Sequence, residues 1–184
     1  MLIQTKNNKQ VELRKLCKSD LEDLFIYLQN LSEETRKRFG PHKFDIASIR
    51  EFYDDETIAG FIAIDPGTQE IVAYAIIKTG FLEPDSARLQ SYGLRLDKQS
   101  DCTFAPSVAD QWQSCGIGSL MFGYICSNWH QGGITRIILW GGVQADNEKA
   151  LKYYLNHGFR TLGQFEHNGN NYDMILDKFQ IESA

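Results

Sequence analysis

Polar and apolar residues alternate from Val11 to Leu16, the period-two pattern of a strand with one buried face. The period then lengthens. Leu21, Leu24, Phe25, Leu28 and Leu31 recur at helical spacing, and Ser19 followed by Glu22 reads as a capping box that opens this helix. Ser32 predicts a second, short helix with Glu33 and Glu34 in its first turn. Asp45 predicts a third, with Ile46, Ile49, Phe52 and Tyr53 as its apolar face. Ile58 to Ile64 and Glu70 to Lys78 flank Asp65-Pro66-Gly67 and predict a hairpin. Leu82 to Ser100 is polar and poorly periodic, which predicts a long connection. Asp101 to Val108 predicts a strand. Pro106 has no N–H for the ladder, so this strand must bulge or part from a neighbour there.

A glycine-bearing turn follows, Gln113-Ser114-Cys115-Gly116-Ile117-Gly118. Behind it Ile117, Leu120, Met121, Ile125 and Trp129 share one side of a helix that ends near Gly132 and Gly133. Thr135 to Trp140 is almost wholly apolar, as a buried parallel strand requires. Asn147 to His157 predicts a helix with Ala150, Leu151, Tyr154 and Leu155 inward, and Phe159 to Phe165 with Tyr172 to Leu176 a last hairpin around Asn168-Gly169. No repeat, low-complexity tract or linker interrupts the pattern, so residues 1–184 are expected to form a single α/β domain with a mixed sheet.

Composition narrows the function classes. A net charge of −5 disfavours nucleic acid or an anionic membrane as partner, and Arg36-Lys37-Arg38 reads as a solvated helix face. The first residues lack the apolar core of a signal peptide, and no apolar run approaches the length of a membrane span. Four scattered cysteines without a C-x-x-C pair fit a reducing cytoplasm rather than a disulfide framework or zinc site. Cys126 and His130 share a helix face at i, i+4 but have no further ligands, so no metal is expected.

The chemistry concentrates at the glycine turn. A turn that becomes the first turn of a helix is an anion site, because the leading N–H groups have no intrahelical acceptor and the dipole favours negative charge. The turn is not a Walker A loop, which needs Gly-Lys-Ser/Thr. It is not a dinucleotide fingerprint, because Met121 stands where a third small residue belongs. The nucleophile elbow G-x-S-x-G is absent as well. Downstream runs Asn147-Glu148-Lys149-Ala150-Leu151-Lys152-Tyr153-Tyr154-Leu155-Asn156-His157-Gly158-Phe159. The two segments together resemble the GCN5-related N-acetyltransferase (GNAT) superfamily. Its Gln/Arg-x-x-Gly-x-Gly/Ala signature is matched by Gln113, Gly116 and Gly118. Its later Asn, Ala, Tyr and Gly-Phe are matched by Asn147, Ala150, Tyr154, Gly158 and Phe159.

The resemblance implies a splayed central sheet flanked by helices, and acetyl-CoA as co-substrate. Backbone N–H groups of Cys115, Gly116, Ile117, Gly118 and Ser119, with Gln113 and Ser114 in the same turn, would cradle its pyrophosphate. Val108 would offer backbone groups to the pantetheine arm and acetyl carbonyl, the arm entering where the strands part at Pro106. Asn147 would reach the cofactor from the next helix start. Neither Ser114 nor Cys115 is basic, so the grip on phosphate is expected to lean on backbone and dipole. Tyr154 would be the general acid for the leaving thiolate, with Tyr153 a packing residue. Cys102 stands where some relatives carry a glutamate base, the adjacent Asp101 is expected to face the other way, and Glu83, Asp85, Glu166 or a water chain are alternatives, so no base is assigned. The acceptor would be a small-molecule amine or a protein amino group, walled by about Ser32 to Phe44 and Glu166 to Asn171. A homodimer is common in the family. The rival readings are a GNAT-like module that binds acyl-CoA without turnover, and a phosphate binder unrelated to acetyl transfer.

Overall fold

A computed structural model describes residues 1–128 and 133–177. Trp129, His130 and the helix end expected at Gly132 lie outside the described residues. In chain order the elements are β1 (Leu2–Gln4), β2 (Gln10–Lys15), α1 (Leu21–Asn30), α2 (Glu33–Lys37), α3 (Ile46–Phe52), β3 (Ile58–Ile64), β4 (Ile71–Thr79), α4 (Glu83–Ser91) and β5 (Asp101–Val108). There follow α5 (Ile117–Asn128), β6 (Arg136–Leu139), β7 (Val143–Gln144), α6 (Glu148–Asn156), β8 (Arg160–Glu166) and β9 (Asn170–Asp177). The architecture is mixed α/β. The chain forms two compact units, Met1–Ile77 with Ala105–His130, and Lys78–Phe104 with Gln131–Ala184. Strands β4 and β5 each run through both.

In the first unit the strand order is β1-β2-β3-β4-β5. Strand β2 is antiparallel to β1, with Ile3 opposite Val11, and to β3, with Leu13 opposite Ala63. Strands β3 and β4 are buried along nearly their whole length, which is why they read as continuous apolar runs. Helix α1 lays Leu21, Leu24, Tyr27 and Leu28 into the core. The helix starts one residue later than a Ser19 cap predicts. The carboxylate of Asp20 accepts the Cys17 N–H at 2.7 Å and binds Arg14 bidentately at 2.6 and 2.9 Å, so a 3-10 turn over Lys18–Asp20 precedes α1. A charge-assisted pair displaces the serine cap that local pattern alone suggests. Ser32 and Asp45 do cap α2 and α3, accepting the Thr35 and Ser48 N–H groups. Strand β1 was not anticipated, being too short to carry a periodicity.

In the second unit β5 pairs in parallel with β6, β6 with β9, and β9 with both β7 and β8. The stretch expected to be a structureless connection contains α4. Its start carries Glu83, Pro84 and Asp85, good first-turn residues, but only Leu89 is fully buried, against Ile138 and Ile175. A helix that buries one residue has no apolar stripe to read. Asn168 and Gly169 both take positive φ, 50° and 108°, and close the β8–β9 hairpin as expected.

Pro106 lies two residues past the last residue of β5 paired with β6. The β5–β6 pairing runs from Asp101 to Phe104, with Trp140 donating to the Phe104 carbonyl at 2.9 Å. Even-numbered residues of β5 therefore turn their backbone toward the β6 side, and the missing N–H of Pro106 falls just past the last pair. No described helix is long and apolar enough to cross a membrane.

Candidate functional site

The glycine turn lies wholly in the first unit. A 3-10 turn over Asp110–Trp112 leads from β5 into residues 113–116. Ser114 and Gly116 adopt left-handed φ of 61° and 90°. Ser114 bears a Cβ there, a strain of about 1 kcal/mol. The Gly116 carbonyl accepts the Leu120 N–H at 3.1 Å, so Gly116 is the N-cap and Ile117, Gly118 and Ser119 form the first turn of α5. The Cys115 thiol is buried and donates to the Trp112 carbonyl at 2.7 Å. Gln113 is a brace: its amide donates to the Val108 carbonyl at 3.2 Å and the Thr35 hydroxyl at 3.4 Å. Val108, at the end of β5, is thereby held by the same motif.

Sequence reasoning found no cation at this turn, and the fold supplies one. The Lys6 N–H donates to the Cys115 carbonyl at 3.0 Å, which fastens the β1–β2 turn to the glycine turn. The Lys6 side chain then runs over Gly116. A Cβ on Gly116 would meet Lys6 Cγ at 3.1 Å and Cδ and Cε at 3.4 Å. Lys9 lies beside it, its ammonium 4.3 Å from the centre of the Trp112 ring. Only the alternation of β2 hints at a hairpin here, and nothing local says where it docks.

The second motif lies in the second unit and is largely self-satisfying. Asn147 caps α6, its Oδ1 accepting the Ala150 N–H at 3.2 Å. At the other end Phe159 N–H donates to the Tyr154 carbonyl and Gly158 N–H to the Leu155 carbonyl, both at 3.0 Å. With Gly158 at φ 82°, this is a Schellman cap. The apolar contact that accompanies such caps is Tyr154 against Phe159, ring centres 5.3 Å apart. Tyr154 is 8% exposed, and burial alone holds its phenol well above the ordinary tyrosine pKa. Tyr153 packs edge-on against it.

The candidate bases are mostly engaged elsewhere. Glu83 pairs with Lys98, Asp85 with Arg88, and buried Asp101 with Arg136. Cys102 is fully buried. Among the acidic residues in or near the expected acceptor wall, Glu33 and Glu34 pair with Lys37 and Arg38 one turn on, and Asp45 caps α3. These are local roles, as ordinary surface charge would have. His42, unremarkable by spacing, faces Tyr74 across the core. A carbonyl only accepts, so the 2.8 Å contact to the Lys43 oxygen puts the proton on Nδ1, and Nε2 accepts from Tyr74 at 3.1 Å. Burial lowers its pKa. Cys126 is half-buried, its thiol pushed up to about 12 by burial; His130, its proposed companion, lies outside the described residues.

The fold is that of the GCN5-related N-acetyltransferases. Among solved structures, the GNAT domain of S. lividans PAT superposes with a TM-score of 0.73 at 17% identity, covering 96% of each chain. A GNAT-family acetyltransferase from Streptococcus pneumoniae gives 0.66 at 15% identity, over 91% of this chain and 99% of that one. The aminoglycoside acetyltransferase AAC(6')-Ib, solved with coenzyme A and kanamycin, gives 0.64 at 19%, over 91% and 94%. In sequence, no family pattern and no curated protein matches.

Proposed function

We propose that this chain transfers an acetyl group from acetyl-CoA to an amine by direct attack in a ternary complex. The observation that carries the reading is the glycine turn within a GNAT fold. There a helix start, a left-handed Gly116 and the Lys6 side chain come together. The turn from Gln113 to Ser119 takes the pyrophosphate through backbone N–H groups and the α5 dipole, and Lys6 adds the positive charge that Ser114 and Cys115 lack. Val108 offers backbone groups to the pantetheine arm at the stretch of β5 beyond its pairing with β6, and Asn147 contributes from the start of α6. The neutral amine nitrogen attacks the thioester carbon, the C–S bond breaks, the thiolate takes a proton from the Tyr154 phenol, and the proton lost by the nitrogen passes to water, from which the phenol is reprotonated. Burial keeps the Tyr154 phenol in its protonated, donating form well beyond the neutral range. The acceptor is a small-molecule amine or a protein amino group, and no metal takes part.

The fully buried Cys102, in the place of a strand carboxylate, favours one rival: a module that holds acyl-CoA without turnover. Thiol release from acetyl-CoA across a panel of small amines, amino acids, aminoglycosides and lysine peptides separates the two. The proposal expects release above the hydrolysis background with at least one acceptor class. Saturable binding of coenzyme A without release from any class would favour the silent module.

A further inference from the structure

Asp110 stands two residues past the end of β5 and three before Gln113, yet its carboxylate is spent on α2. Oδ2 accepts the Ser32 N–H at 3.0 Å. Oδ1 accepts the Ser32 hydroxyl at 2.8 Å and the Thr35 hydroxyl at 2.7 Å. The Gln113 amide, which braces the Val108 carbonyl, also reaches the Thr35 hydroxyl. One carboxylate thus joins residues 75 to 78 positions apart in the chain.

Helix α2 depends on such ties. It is five residues long and none of them is buried. A helix that short does not hold itself in water. Its two i,i+4 ion pairs are largely exposed and contribute little. The Ser32 cap also holds it, as does Arg36, which donates to the Leu28 and Gln29 carbonyls of α1 at 3.1 Å. Burial pushes the Asp110 carboxyl up, and the Ser32 and Thr35 donors more than offset it, so the group stays ionised across the neutral range.

We propose that Asp110 is a positioning residue that fastens α2 to the cofactor turn, so that coenzyme A seated on the turn orders the segment from Ser32 to Phe44. The inference rests on the acetyltransferase reading for the ligand of the turn. Cofactor binding and the organisation of this segment then assist each other. By linkage, a mobile α2 weakens coenzyme A binding by the same factor.

Amide hydrogen exchange of the whole chain, with and without saturating coenzyme A, tests this, with calorimetry on the same samples. In the natural protein coenzyme A should slow exchange over residues 33–39 on the order of 5-fold or more. Asp110→Asn and Thr35→Val should each speed exchange there without ligand and abolish the ligand-dependent slowing. Thr35→Ser, which keeps the hydroxyl, should restore it. Measurable binding heat with unchanged exchange over 33–39 would overturn the coupling while leaving the acetyltransferase reading intact. Full ligand-dependent slowing in Asp110→Asn would overturn it too. No binding heat in the natural protein would overturn the reading and the coupling with it.

Discussion

The glycine turn at 113–119 and the segment from Asn147 to Phe159 are both short signatures of one family, and they are built in opposite ways. The second closes its ends on itself: the Asn147 cap and the Schellman end lie within 13 residues, their hydrogen-bond partners supplied by the segment, while Leu155, expected inward, is exposed. The first is assembled from afar. Lys6 lies over Gly116, Ser32 and Thr35 hold Asp110, and Gln113 braces Val108. A self-contained signature is legible residue by residue. An assembled one shows its backbone in the sequence and hides its electrostatics.

The largest expected effect belongs to Tyr154→Phe. It should lower turnover about 10²-fold or more while leaving coenzyme A affinity nearly unchanged. The raised phenol pKa adds a pH signature. A general acid works while protonated, so no loss of rate from Tyr154 ionisation should appear below about pH 10. Unchanged turnover with chemistry rate-limiting would reduce Tyr154 to its cap contact with Phe159.

A matched pair of glycine substitutions probes the contrast most directly. Gly116→Ala forces a side chain into a left-handed φ and against Lys6, costing about 1–2 kcal/mol. Much of that should appear as a loss of coenzyme A affinity on the order of tenfold, read by calorimetry. Gly158→Ala carries a similar backbone cost, with its Cβ 3.3 Å from Leu176. It should appear as about 1–2 kcal/mol of stability in urea, with coenzyme A affinity at the turn little changed. Equal effects of the two on affinity would erase the distinction.

Lys6→Met should have the smallest effect, a loss of about 5-fold in coenzyme A affinity, since the side chain is exposed. The loss should shrink as salt rises, and binding of S-acetylpantetheine, which lacks the phosphates, should not change. A loss that persists with S-acetylpantetheine would mean that Lys6 props the turn mechanically.

Much of the fold was open to a reader of the chain alone. Helical spacing behind a cap placed α1 and α3, and apolar runs bounded by turn residues placed β3 and β4, each within a residue or two. Pro106 stands just past the end of the β5–β6 pairing, as a residue without an N–H requires. What failed did so for want of a local trace. Helix α4 buries only Leu89, and Asp20 took the start of α1 from Ser19 through an ion pair with Arg14. The glycine turn, the caps of α2, α3 and α6, and the left-handed closure of the last hairpin belong to the sequence itself. They depend on which residues have side chains, donors or a free φ within a few positions. The cation over Gly116 and the tie from Asp110 to α2 belong to the tertiary structure. Each joins residues 75 to 110 positions apart, and no local preference of the chain records that distance.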